Sequence, residues 1–114
     1  IKLNKLISKH EEEIGNILLN YINSRKDFNL IGMKKITNKN RAPTISFTVN
    51  NKSSKSVSDF LIKNNIATRN DNFYAWRCLM ALGIDTNDGV VRLSMTHYNS
   101  HEDVNKLIEV LKKI

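Results

Sequence analysis

Apolar residues recur at helical spacing from the start of the chain: Leu3, Leu6, Ile7, Ile14, Ile17, Leu18, Tyr21 and Ile22. That period predicts a first helix over residues 1–24. Glu11, Glu12 and Glu13 form its solvated back, and Gly15 weakens it slightly. No capping residue precedes the pattern, so a further segment is expected upstream of Ile1. Leu30–Ile36 predicts a short strand after a turn at Asp27–Asn29, and Asn38–Arg41 a polar loop.

The period changes to two at Thr44–Val49. Ile45, Phe47 and Val49 face one side and Thr44, Ser46 and Thr48 the other, the mark of a half-buried strand. Pro43 stands at its start, where a missing N–H is tolerated. Ser53 or Ser54 caps a helix reaching about Asn64, with Val57, Phe60 and Leu61 inward. Ile66–Arg69 reads as a short extended piece and Asn70-Asp71-Asn72 as a turn. Phe73–Leu82 reads as a helix stopped by Gly83. A loop over Thr86–Gly89 leads to a last strand, Val90–Met95. Ser100 with Asp103 then resembles a capping box, with Asp the weaker partner, before the stripe Val104, Leu107, Ile108, Leu111 and Ile114.

The order is therefore α-β-β-α-β-α-β-α. Three to four strands are too few for a large doubly wound sheet. The expected fold class is α/β, an α+β two-layer sandwich with helices on one face of a small mixed sheet. The 114 residues suit a single domain, with 1–24 a connecting helix and 30–114 the sandwich.

A net charge of +7 permits nucleic-acid binding, but the lysines are scattered and no run of five basic residues occurs, so a nucleic-acid patch is not favoured. The single cysteine, Cys78, rules out an internal disulfide. With no secretory or membrane-spanning stretch in the sequence, a reducing cytoplasm is the default expectation. His10, His97 and His101 lack partners at ligand spacing, so no metal site is expected.

Arg92 changes the picture. It stands in the middle of an otherwise apolar strand that ends in the polar turn Tyr98-Asn99-Ser100. A guanidinium buried there without a partner costs several kcal/mol, on the order of the usual penalties for burying charge. It needs an anion or an open cleft, which makes Arg92 a candidate anion receptor.

Three segments carry a resemblance. They are Arg41-Ala42-Pro43-Thr44-Ile45-Ser46-Phe47; Asn65 through Ala75, closing with Leu82-Gly83; and Gly89 to Ser100 followed by His101 to Leu107. In this order and spacing the chain resembles the C-terminal domain of class V aminotransferases, a group of fold-type I pyridoxal-phosphate enzymes. Within that group it looks most like cysteine desulfurase-like and selenocysteine lyase-related proteins. The resemblance implies a small domain that closes over a cleft in a larger cofactor domain. It implies pyridoxal 5'-phosphate in the intact enzyme, an amino-acid substrate and a possible homodimer. It also places Arg92 as the receptor of the substrate α-carboxylate, which a planar guanidinium fork can pair bidentately.

The chain departs from the family in two places. Where desulfurases of this kind carry a sulfur-accepting cysteine, this chain has Tyr74 followed by Ala75, and a phenol cannot take sulfur. Selenocysteine lysis, epimerisation and β-elimination remain open. The cofactor lysine lies on the family's large domain, so this segment alone is expected to be inactive. No catalytic, cofactor-binding or metal residue is assigned to it.

Other residues carry two readings. Arg69 lines the same cleft or joins a structural ion pair; Tyr74 touches substrate or packs as an aromatic; Asn72 and Phe73 share its loop. Cys78 reads as a buried small apolar residue, His97 as a structural histidine or a proton shuttle, and Arg41 as a solvated loop charge. The rival to an enzyme fragment is a stand-alone basic module that binds a ligand or RNA.

Overall fold

The computed structural model describes residues 2–37, 40 and 42–114. The loop charge expected at Arg41 lies outside the described residues. Eight elements follow one another: α1 (Lys2–Ser24), β1 (Phe28–Ile31), β2 (Thr44–Val49), α2 (Ser54–Lys63), β3 (Arg69–Asp71), α3 (Trp76–Ala81), β4 (Val90–Ser94) and α4 (His101–Leu111). The expected α/β class and order hold.

The four strands form one sheet in the order β1-β2-β4-β3. Every pairing is antiparallel, so the sheet is not mixed. β2 follows its neighbour β1 directly, α2 carries the chain from β2 to the far edge strand β3, and the connection holding α3 returns it to β4 between them; hydrophobic period does not encode these strand directions.

One face of the sheet carries the core. Phe28, Ile45, Phe47, Val49, Val91 and Leu93 meet Ile14, Leu18, Leu19 and Ile22 of α1, Val57 and Leu61 of α2, and Val104, Leu107, Val110 and Leu111 of α4. The stripe of α1 is continuous in sequence, yet only its second half is buried; Leu3 and Leu6 are exposed. Gly15 has a packing reason. It is buried, and a methyl group there would strike the Ile36 side chain.

Two strands shift from expectation. β1 spans Phe28–Ile31 and stops at Gly32, whose φ of 107° an ordinary side chain resists. β3 spans Arg69–Asp71, so the expected turn at Asn70 is a strand. The Asn70 amide donates to the Ser54 hydroxyl at 3.2 Å, which ties β3 to the start of α2. Ser53 caps α2, accepting from the Ser56 N–H at 3.1 Å, and Gly83 follows α3 with φ 73°.

Candidate functional site

Alternation in β4 fixes where Arg92 points. Val91 and Leu93 are buried in the core, so Arg92 between them faces the opposite side of the sheet. Directly paired residues in a sheet share a face. Ser46 pairs with Arg92 on one side and Arg69 on the other. The outer face therefore carries the row Ser46, Arg92, Arg69. The Thr68 hydroxyl donates to the Arg92 carbonyl at 3.0 Å, which pins the start of β3 to β4.

The loop after β3 folds over this row. The Asp71 carboxylate accepts the Asn72 N–H at 2.7 Å. Asn72 Oδ1 accepts the Tyr74 N–H at 2.9 Å, and the Asn72 amide donates to the Thr86 carbonyl at 3.2 Å. Both polar ends of Asn72 thus brace the loop. Phe73 and Tyr74 take φ of 52° and 60°, the left-handed region that costs ordinary side chains roughly 1–2 kcal/mol each. Helix α3 therefore starts only at Trp76, three residues after the expected Phe73.

Gly89 permits this arrangement. Its φ is 73°, and a methyl group there would run into the Asp71 carbonyl and come within 2.7 Å of the Asn72 nitrogen. Both obstacles are backbone. Gly89→Ala is expected to cost about 2–3 kcal/mol through the left-handed penalty and overpacking. Amide exchange should report it as faster opening of β3 and the 72–74 loop, while the β1–β2 pairing keeps its relative protection.

The loop brings Phe73 onto the arginines. The Arg92 Cζ lies 4.0 Å from the Phe73 ring centroid and the Arg69 Cζ 5.9 Å from it. Such cation–π contact orients a guanidinium while leaving its N–H edge free. A cleft of about 300 Å³ opens beside them, lined by Ala67, Thr68, Arg69, Arg92 and Ser94. It shares Ala67 and Ser94 with a second cleft of about 290 Å³ that runs to Asn99, Asp103 and Lys106 at the start of α4. Arg92 is half-buried, yet among the described residues its guanidinium has neither carboxylate nor carbonyl partner.

The structure thus brings together Arg92, Arg69 and Phe73. Tyr74 stands apart, 93% exposed at the loop tip. Cys78 is exposed, not buried as expected: the six-residue α3 buries only Leu79 and leaves the other faces in solvent. His97 is exposed, its ring edge-on to Tyr98 at 5.3 Å. Thr68, Ser94 and Gly89 shape the site without having been singled out in the sequence. A glycine just ahead of the last strand was the one available signal, since it marks a close approach of backbone.

The turn after β4 holds the far end of the second cleft. Asn99 Oδ1 accepts the Thr96 N–H at 2.9 Å, and the Asn99 carbonyl meets His10 Nε2 at 2.6 Å, which joins α1 to the turn. Ser100 and Asp103 complete the capping box. The Ser100 N–H, and secondarily its hydroxyl, hold the Asp103 carboxyl below its usual 3.8. A lowered folded value gives stability that is present above 3.8 and lost as pH falls through the folded value. Acidification through that window should lower the wild-type melting temperature more steeply than that of Asp103→Asn, as thermal scans against pH would show.

Among the described residues no helix is long and apolar enough to cross a membrane. A family model described as Aminotransferase class-V matches residues 3–107. The Aminotransferase-like protein FGM3 of Gibberella zeae is 31% identical over 109 residues, covering 95% of this chain and 27% of that protein. The apo cysteine desulfurase of Thermococcus onnurineus NA1 superposes with a TM-score of 0.82 at 24% identity, over 96% of this chain and 26% of that one. The cysteine desulfurase CsdA of Escherichia coli does so with a TM-score of 0.76 at 18% identity, over 93% and 24%. At these identities the structural likeness speaks to the fold. The chain spans about a quarter of the length of these relatives.

Proposed function

The chain belongs to the aminotransferase class-V family, and on that premise we propose that it is the C-terminal, substrate-carboxylate-binding part of a larger enzyme acting on an α-amino acid. The observation that carries the proposal is Arg92. It is a half-buried guanidinium, stacked on Phe73 and facing a cleft, with no acid to neutralise it among the described residues. Leaving a half-buried charge in that state is costly unless a ligand completes it.

The family depends on pyridoxal phosphate. The cleft around Arg92 does not fit that group. Its lining of Ala67, Thr68, Arg69, Arg92 and Ser94 offers no lysine amine for the cofactor's aldehyde and no carboxylate to face a pyridine nitrogen. It fits an anion. In this reading the cofactor is held by another part of the protein, and this chain binds and orients the substrate. Arg92 takes the carboxylate, Phe73 keeps the guanidinium plane fixed, and the braced 72–74 loop keeps Phe73 in place.

Tyr74 occupies the loop position where the resemblance puts a sulfur-accepting cysteine, so persulfide formation there is not part of the proposal. On this reading the chain without a cofactor-bearing partner domain turns over nothing. The test is substrate KM in the full-length protein after Arg92→Gln. A strong rise supports the role, and an unchanged KM removes it.

A further inference from the structure

We propose that this cleft is built for an amino acid with a second acidic group on its side chain, Arg92 taking the α-carboxylate and Arg69 the other anion. The inference rests on the reading of Arg92 given above.

It starts from the pairing of β3 with β4. Arg69 and Arg92 are direct Cα partners in adjacent antiparallel strands. Like charges placed opposite one another destabilise a sheet, so the folded chain carries a repulsion that a suitable ligand would remove. Both guanidiniums also gather on one ring, at 4.0 and 5.9 Å from the Phe73 centroid. The Thr68–Arg92 hydrogen bond fixes β3 against β4, so the spacing of the two arginines is set by backbone.

Arg25 shows how a structural arginine is held in this fold. Arg25 forks onto both Asp27 carboxylate oxygens at 2.8 and 2.6 Å and donates to the Tyr21 hydroxyl at 2.6 Å. That is a structural arginine with its donors spent. Among the described residues, neither Arg69 nor Arg92 has any side-chain hydrogen bond or ion pair. Each guanidinium offers five N–H donors in a flat fork. One carboxylate occupies one fork and leaves the second charge facing it uncompensated.

The cleft lining agrees with two anions. Beyond the two arginines it holds Ala67 and the hydroxyl residues Thr68 and Ser94, and no acid that would repel a carboxylate. Asp71, on the same face as Arg69, accepts the Asn72 N–H, Asp88 accepts the Ser54 N–H, and among the described residues neither forms an ion pair with Arg69 or Arg92.

The test measures equilibrium binding of propionate and succinate to the full-length protein and to Arg69→Gln, Arg69→Lys and Arg92→Gln. Succinate is expected to bind at least about tenfold more tightly than propionate. Arg69→Gln should bring that preference to about one, and Arg69→Lys should keep part of it. Arg92→Gln should weaken both ligands. Circular dichroism confirms that each variant is folded. Equal affinity for the two ligands, or a preference that survives Arg69→Gln, overturns the second-anion site while Arg92 keeps its role. Propionate binding unchanged by Arg92→Gln overturns the carboxylate reading itself, and the second-anion site with it.

Discussion

Arg92→Gln in the full-length protein is expected to raise KM for an amino-acid substrate by roughly 30- to 1,000-fold, equivalent to about 2–4 kcal/mol. The effect is large because the substitution removes one partner of a charge pair in a cleft while the other still has to enter it. A rim arginine would give far less, since exposed pairs contribute about 0–1 kcal/mol. Arg92 is not placed like a rim residue. It is half-buried between two core positions of β4, its guanidinium lies against Phe73, and the described residues supply no counter-ion. Glutamine keeps a hydrogen-bond donor but loses both the charge and the fork, so kcat should fall less than kcat/KM if the arginine binds substrate and transition state alike. Steady-state kinetics on wild type and variant separate these quantities.

Phe47→Ala is expected to destabilise the fold by about 3–5 kcal/mol, a large part of the roughly 5–15 kcal/mol that holds a domain together. Phe47 is fully buried at the centre of the sheet, between Leu30 and Val91 in register. Its ring stacks on Phe28 with centroids 5.3 Å apart and planes 6° apart. β2 is a central strand held on both sides, so the cavity left by the ring cannot close without breaking the pairing of β1 or β4. Denaturant unfolding would show the loss as a lower midpoint. Tyr74→Ala is the matching control: its side chain is 93% exposed, so the midpoint should stay where it is.

Features legible in the sequence were those that write themselves locally. The alternation over Thr44–Val49 matches β2 residue for residue. Ser100 and Asp103 form the capping box they resemble, with the Ser100 hydroxyl accepting the Asp103 N–H at 3.1 Å. Gly83 ends α3 in the left-handed conformation expected of a C′ glycine. Arg92 could be singled out because a charge in an apolar strand conflicts with its surroundings, and such conflicts collect at sites of function.

Illegible features depend on contacts between distant segments. β3 is three residues long and polar, too short to show any period, and its place depends on Asn70 reaching Ser54 and on the register with β4. Composition makes Asn70-Asp71-Asn72 a turn; tertiary pairing makes its first two residues strand. Helix α3 is likewise too short for its stripe to tell inside from outside, which is why Cys78 reads as buried in sequence and stands exposed in the fold. The left-handed Phe73 and Tyr74 follow from the hydrogen bond that Asn72 makes to Tyr74, together with the close pass of the backbone at Gly89. The pairing of Arg69 with Arg92 appears only once register is known.

The most direct test of the carboxylate role is a binding cycle. Affinities of L-alanine and L-alaninamide would be measured on the full-length wild-type protein and on Arg92→Gln. If Arg92 receives the carboxylate, removing either the ligand's charge or the guanidinium should cost about 2 kcal/mol or more, and removing the second after the first should cost little. Losses that simply add, with the amide weakened as much by Arg92→Gln as the acid is, would contradict the account.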